Sequence, residues 1–319
     1  MRLMIALGGN ALLERRDKPD AAVQRHHIQR AAAALAPLAS DHQLVICHGN
    51  GPQVGLLALE SGADRSLSRP YPLDALGAQT QGMIGYWLTQ ELHNAGITAP
   101  VITIITQTRV AADDAAFGAP SKFIGRVYTR WEARRLAARH GWSIAADGTA
   151  WRRVVASPQP EGIVEATSVR QLIEAGAVVV CGGGGGVPVV QNADGQLFGV
   201  EAVVDKDLTA MRIALDMAAD RLLLLTDVPA VMRDFGTPRA TALLRLDSTE
   251  VADLQLPAGS MAPKVEACVR FTAASGKLSA IGALADAAAV LAGTAGTTIT
   301  ARAQGGQVLD SHVSASTSP

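Results

Sequence analysis

Cysteine is scarce in this chain, with only Cys47, Cys181 and Cys268, far apart and without CxxC spacing. That excludes a disulfide framework and a thiolate metal site, and three buried thiols in a reducing cytoplasm are expected instead. Aromatic residues make up 4%, leaving few platforms on which nucleic-acid bases could stack. Charge of one sign is also missing. The 28 Lys and Arg balance 29 Asp and Glu to a net −1, which argues against a nucleic-acid partner held by bulk charge. No run approaches the roughly 20 apolar residues of a membrane span, and Leu3–Leu7 is too short for the apolar region of a signal peptide. A soluble, cytoplasmic protein is expected, with neither membrane nor nucleic acid as partner. What is present is apolar mass: 319 residues, 48% hydrophobic and 18% charged, enough for one large domain or two lobes sharing a sheet.

A pattern repeats along the chain: a short aliphatic run, a glycine cluster, then a helix-like segment. Leu3–Leu7 leads into Gly8-Gly9-Asn10, Gln43–Cys47 into His48-Gly49-Asn50-Gly51-Pro52, and Ala177–Cys181 into Gly182–Gly186. Leu222–Leu225 leads into Thr226-Asp227. Helices are predicted over Ala21–Ala39, Leu73–Ala95, Thr167–Ala175, Leu208–Ala218 and Lys264–Ala274. This alternation implies an α/β fold with a mostly parallel sheet and helices on both faces, whose ligands sit at the carboxyl ends of the strands. The glycines fall at those ends. Five consecutive glycines cost backbone entropy at every position, and a simple turn needs one or two.

One segment breaks the pattern. Residues 122–153 hold Lys122 and seven arginines against Glu132 and Asp147, a net +6, together with three of the four tryptophans. It reads as a small inserted subdomain, and with Lys122 at its entrance as a lid over the site.

The glycine clusters point to phosphate handling, since backbone N–H groups in such turns face anions. A Walker P-loop, Gly-x-x-x-x-Gly-Lys-[Ser/Thr], is absent, and so are protein-kinase signatures. Gly49-Asn50-Gly51-Pro52-Gln53-Val54-Gly55 misses the dinucleotide fingerprint by one residue. Lysines at the mouths of the glycine loops supply the missing charge: Lys122 at the start of the basic insertion, Lys206 in Asp205-Lys206-Asp207, and Lys264 after Pro263. At an effective dielectric of 20, a charge pair at about 4 Å is worth roughly 4 kcal/mol, against about 0.3–1 kcal/mol for a helix end. The lysines are therefore expected to dominate phosphoryl transfer, with the glycine amides positioning.

Taken in order, ALGGNAL (6–12), HGNGPQVG (48–55), YPLDALGAQTQGMIGYWL (71–88), SKFIG (121–125), WRRVVASPQP (151–160), GGGGGVPVV (182–190), GVEAVVDKDLTA (199–210), LLLTDV (223–228) and GSMAPKVEA (259–267) resemble the carbamate kinases of the amino acid kinase superfamily. The resemblance implies a three-layer α/β/α sandwich over residues 1–300. Its N-lobe, about 1–175, would face carbamate and carry a protruding subdomain at about 121–160. Its C-lobe, about 176–300, would face the nucleotide, and 301–319 would be a flexible tail. The reaction implied is ATP + carbamate ⇌ ADP + carbamoyl phosphate with Mg²⁺ carried on the nucleotide phosphates, in a homodimer, running toward ATP in arginine catabolism. Helix residues 76–92 are the guess for the subunit contact.

The resemblance also implies roles. Lys122, Asp207 and Lys264 would be catalytic, with Asp207 orienting lysines rather than removing a proton. Gly8, Gly9, Asn10, Gly49, Asn50 and Gly51 would bind carbamate and the phosphoryl group. Gly183, Gly184, Asp205, Lys206, Thr226, Asp227 and Met261 would bind the nucleotide. Carbamate is already an anionic nucleophile, so no general base is needed, and His48 is expected to hydrogen-bond its own loop. The chain departs from the family pattern at Phe123, where proline is usual, at Ala156, and at Pro229, where aspartate is usual. Three alternatives remain. A nicotinamide-dependent oxidoreductase lacks its acidic ribose ligand and hydride-handling residue. Another acyl-phosphate kinase on the same fold, or a non-catalytic homologue, would share most of these motifs.

Overall fold

The computed structural model describes residues 1–9, 12–14, 17–254, 256 and 261–301. The expectations for Asn10, for the Gly259-Ser260 start of GSMAPK and for tail residues 302–319 lie outside the described residues.

The aliphatic runs form the central sheet: β1 (Arg2–Leu7), β2 (Gln43–His48), β3 (Val101–Thr103), β4 (Val178–Val180), β5 (Arg221–Thr226), β6 (Arg245–Asp247), β7 (Ser279–Ala283) and β8 (Thr297–Thr300). Their spatial order is β6-β8-β7-β5-β1-β2-β4-β3. All neighbours pair parallel except β7 with β8. Among the described residues eight α-helices accompany them: α1 (Ala21–Ala39), α2 (Gly51–Ala63), α3 (Leu73–Asn94), α4 (Arg130–His140), α5 (Ala166–Glu174), α6 (Lys206–Asp216), α7 (Met261–Ser275) and α8 (Ala287–Ala292).

Successive side chains of a strand point to opposite faces, so an unbroken apolar run needs cover on both. In β1, Leu3, Ile5 and Leu7 pack with Ile28 and Leu35 of α1 and Ile84 and Leu88 of α3. Met4 and Ala6 face the other way, into a cluster with Val169 of α5, Ile213 of α6 and Phe271 of α7. Each fully buried aliphatic side chain contributes about 1.5–3 kcal/mol, so the two clusters on either face bind the three layers together. The α/β/α sandwich is the architecture observed.

In the sheet β4 inserts between β2 and β3, which brings the five-glycine loop after it beside the end of β2. Helix residues 76–92 are mostly committed inside the subunit, with Leu76, Ile84, Leu88 and Leu92 buried, while Tyr86 faces outward.

Residues 122–155 form a separate three-stranded antiparallel sheet, Lys122–Tyr128, Ser143–Asp147 and Ala150–Val155, with α4 against it. A capping box of Thr129 and Glu132 starts α4, and left-handed Gly141 ends it. Only Ala133 of that helix is buried. Guanidinium groups stacked on rings take over where apolar burial is thin: Arg130 over Trp151, Arg135 over Trp131, Arg152 over Phe123 and Arg153 over Trp142. The unit rests on α2 through a glycine–glycine contact, since a Cβ on Gly55 would lie 2.0 Å from the Cα of Gly125. That close seat brings Lys122, at the first residue of its strand, over the carboxyl end of the main sheet.

Candidate active site

The register levels the ends of three strands, pairing Leu7 with His48 on one side and with Leu225 on the other. The loops that follow are knitted together: Gly8 N donates to Leu225 O at 2.8 Å and Gly49 N to Leu7 O at 3.1 Å. Above them opens a cavity of about 720 Å³. Around it the structure gathers Gly8, Gly9, Gly49, Asn50, Gly51, Lys122, Gly184, Asp205, Lys206, Asp207, Thr226, Asp227, Met261 and Lys264, all singled out in the sequence.

The polypeptide reserves anion-binding groups here. The Asn50 side chain donates to Thr80 Oγ1 at 2.8 Å and makes no cap bond to α2, whose first turn holds Pro52. The N-terminal amides of α2 therefore remain without a side-chain cap at the cavity, where an anion is favoured. At α6 the opposite holds. Asp205 caps the helix, its Oδ1 accepting from Asp207 N at 2.8 Å, while its Oδ2 pairs with Lys122. With Asp205 as the cap, α6 begins at Lys206 rather than at the expected Leu208. Asp207, in the first turn, is 3% exposed and splits its carboxylate between two cations: Oδ1 takes Lys206 Nζ at 2.5 Å and Oδ2 takes Lys264 Nζ at 3.1 Å.

Burial and pairing compete at each charge. Burial alone pushes the Asp207 carboxyl up, but Lys206 and Lys264 outweigh it and hold it well below the usual carboxylate range. Asp205 follows the same pattern, raised by burial and brought below its ordinary value by Lys122. Burial opposes charge on Lys206 too, yet Asp207 and Asp205 lift it above its ordinary value. Lys264 ends lower than usual, because burial and the neighbouring Lys206 exceed the pull of Asp207. Three ammonium groups thus gather around the Asp205 and Asp207 carboxylates beside uncapped amides, with Asp227 a third carboxylate on the cavity wall. Such a site can hold a phosphoryl group and stabilise charge spread over its oxygens.

Other expected residues fall differently. His48 is 1% exposed, its Nδ1 lies 3.0 Å from Gly49 O, and burial pulls it down to about 4, so it is a neutral loop-holding ring. Gly183 and Gly184, expected with the nucleotide, lie beyond the end of β2, in a loop that packs where only glycine fits. A Cβ on Gly183 would lie 2.4 Å from His48 Nε2, and one on Gly184, at φ +65°, 2.1 Å from Asn50 Nδ2. Gly184 reaches the cavity wall; Gly183 lies behind it. Phe123 and Pro229 line the cavity, whereas Ala156 bridges to Ala202 in the body.

Beyond Thr226 and Asp227 the wall turns apolar, with Val228, Met232, Phe235, Ala240 and Leu256. Val228 closes the LLLTDV motif, but Met232, Phe235, Ala240 and Leu256 escaped the sequence analysis: they come from the hairpin of Val231–Arg233 and Thr241–Leu243 and a distant loop, with no motif or periodicity to connect them.

A model of the amino acid kinase family matches residues 1–281. A carbamate kinase of Rhizobium meliloti (strain 1021) is 49% identical over 302 residues, covering 94% of this chain and 93% of the relative. Among solved structures, carbamate kinase from Giardia lamblia bound to citric acid superposes with TM-score 0.88 at 38% identity, covering 94% of this chain and 98% of that one. Giardia lamblia carbamate kinase bound to AMP-PNP gives 0.84 at 37%, with the same coverage.

Proposed function

The chain belongs to the amino acid kinase family, and on that premise we propose that it is a carbamate kinase, transferring a phosphoryl group between ATP and carbamate. The observation that carries the reading is the Asp207 carboxylate holding Lys206 and Lys264 beside the uncapped start of α2.

Toward carbamoyl phosphate, a carbamate oxygen attacks the γ-phosphorus. The bond to the β–γ bridging oxygen breaks, and its electron pair leaves on ADP. Toward ATP, a terminal β-phosphate oxygen of ADP attacks the phosphorus of carbamoyl phosphate and carbamate departs. Neither direction needs a proton removed, which suits a site whose carboxylates are bound to lysines and whose histidine is neutral. Lys122 and Lys264 neutralise the transferred oxygens, and Asp207 positions Lys264 and Lys206. Asp205 caps α6 and anchors Lys122. The amides of Gly8, Gly9, Gly49 and Gly51, with Asn10 and Asn50, hold carbamate. Lys206, Thr226, Asp227 and Met261 serve the nucleotide, in keeping with the AMP-PNP bound by the Giardia lamblia relative.

Among the described residues no three His, Cys, Asp or Glu side chains cluster as a metal cage, and Asp205 and Asp207 are engaged by lysines. The residues fit Mg²⁺ entering on the nucleotide phosphates, where it would supply further charge neutralisation. Among the described residues no helix is long and apolar enough to cross a membrane, and all three cysteines are free and buried. A cytoplasmic location accords with such thiols. A homodimer, and the ATP-forming direction in arginine catabolism, follow from the family resemblance.

The test is ATP formation from carbamoyl phosphate and Mg-ADP, read by luciferase, with NAD(P)H without effect. No ATP above a metal-free blank refutes the reading.

A further inference from the structure

Thr80 is fully buried in the middle of α3, one side chain behind the cavity: its hydroxyl oxygen accepts from Asn50 Nδ2 at 2.8 Å, and Asn50 lines the cavity wall. The same hydroxyl donates to Gly77 O, one turn back, at 2.7 Å. A hydroxyl has a single proton, and the helix carbonyl takes it. Only lone pairs remain for Asn50. Turned the other way, the Asn50 oxygen would meet an oxygen with no proton to give. Thr80 therefore fixes which end of the Asn50 carboxamide faces α3: the amino group.

The carboxamide is also clamped on its flat side. A Cβ on Gly184 would lie 2.1 Å from Nδ2, 2.3 Å from Cγ and 2.6 Å from Oδ1, so glycine backbone presses on all three atoms. Gln81, the next residue of α3, keeps that glycine loop in place. Its Nε2 donates to Thr106 O at 3.1 Å and its Oε1 accepts from Thr106 N at 3.0 Å, while Thr106 Oγ1 accepts from Gly182 N at 2.7 Å. With Nδ2 committed to Thr80, Oδ1 is the end left for a ligand, and it accepts from no group among the described residues. Such an oxygen calls for a donor. Carbamoyl phosphate carries an amino group where acetyl phosphate, of nearly equal size, carries a methyl.

We propose that Thr80 is a positioning residue that sets substrate specificity: by holding the Asn50 amino group toward α3, it aims the Asn50 carbonyl oxygen at the amino group of carbamoyl phosphate and disfavours acyl phosphates with a methyl in that place. This rests on the reading of the cavity as a carbamate site. A site built to hydrogen-bond a substrate N–H is left with an unpaired acceptor by an analogue that lacks it, which corresponds to about a ten- to hundredfold loss.

The experiment measures ATP formation by luciferase from Mg-ADP with carbamoyl phosphate or acetyl phosphate, in the full chain and in its Thr80→Val and Thr80→Ser variants. Valine keeps the shape and removes the acceptor; serine keeps the hydroxyl. The native chain should favour carbamoyl phosphate in kcat/KM by about tenfold or more. Thr80→Val should cut kcat/KM for carbamoyl phosphate by about tenfold or more, while kcat/KM for acetyl phosphate and KM for ADP stay within about threefold, so that the preference collapses. Thr80→Ser should keep the native preference. If Thr80→Val gives no cooperative urea transition, Thr80→Ala, which also removes the acceptor, takes its place. Equal losses on both acyl phosphates, the mark of a purely structural role, overturn the inference and leave the kinase reading intact. So do an unchanged preference in the variant lacking the hydroxyl, a lost preference in Thr80→Ser, and a native preference below tenfold. A native chain that makes ATP from neither substrate refutes the kinase reading itself.

Discussion

Replacing Asp207 with asparagine removes one negative charge and almost no volume, so it isolates what that charge does. In the native chain the carboxylate takes Lys206 Nζ at 2.5 Å and Lys264 Nζ at 3.1 Å. At an effective dielectric of 20, the Coulomb attraction at these distances is roughly 5–7 kcal/mol per pair before the cost of desolvation. Breaking a buried pair by removing one partner costs about 3–5 kcal/mol of stability, because an uncompensated buried charge remains. Lys264 is already below its ordinary pKa through burial and Lys206, and without Asp207 it falls further. A neutral Lys264 stabilises no phosphoryl oxygen, so kcat should drop at least about 10²-fold. The pH dependence has a fixed sign. Lys264 carries its charge below its pKa, so lowering that pKa makes the variant's activity fall as pH rises through a range where the native enzyme is flat, and partly recover on acidification. Stability follows the depressed carboxyl. Its contribution is fully present above an unfolded pKa of about 3.9 and is lost as pH falls through the lower folded value. The gap between native and variant in urea melts should therefore close toward strongly acid pH. The assay is kcat for ATP formation between pH 6 and 9, beside urea unfolding at each pH. A cooperatively folded Asp207→Asn protein with kcat within threefold of native and the same pH profile would refute the role assigned to this charge.

His48→Asn should cost less than tenfold in kcat, measured by the same luciferase assay, because the neutral ring touches its own loop and no reacting group. The native ring, lowered by burial from 6.5 to about 4, binds fewer protons folded than unfolded. Stability should thus fall as pH drops from 6.5 toward 4, by about 3 kcal/mol at most, and His48→Asn should remove that acid-side loss in urea melts. Lys122→Ala should lower kcat tenfold or more with ADP affinity by calorimetry unchanged, since Lys122 serves the transferred group; full turnover would refute it. Tryptophan fluorescence, with three of four indoles in residues 122–153, should change more on adding carbamoyl phosphate with ADP than on ADP alone. A signal indifferent to ligands would contradict a closing subdomain.

Local chemistry made much of this protein legible from the chain itself. Unbroken runs such as Leu3–Leu7 and Leu222–Leu225 can be buried only in a doubly covered sheet, and glycine at their carboxyl ends marks backbone brought against a ligand. Lys122, Lys206 and Lys264 stood out as charge accompanying such turns, and the role of Asp207 came from the family resemblance. Three things needed the third dimension. Strand pairing is non-local, and no run or motif announces that Val178–Val180 slots between β2 and β3. That sets Gly183 beside His48 and Gly184 beside Asn50. The division of the Asp207 carboxylate between lysines at positions 206 and 264 is a matter of ångströms, set by how α6 packs on α7. The apolar wall that includes Phe235 comes from the hairpin, the segment around Leu256 and the start of α7, side chains with no periodicity in common. Sequence determines which residues seek burial or charge; only folding determines which of them meet, because contact energies act over a few ångströms between residues that lie far apart along the chain.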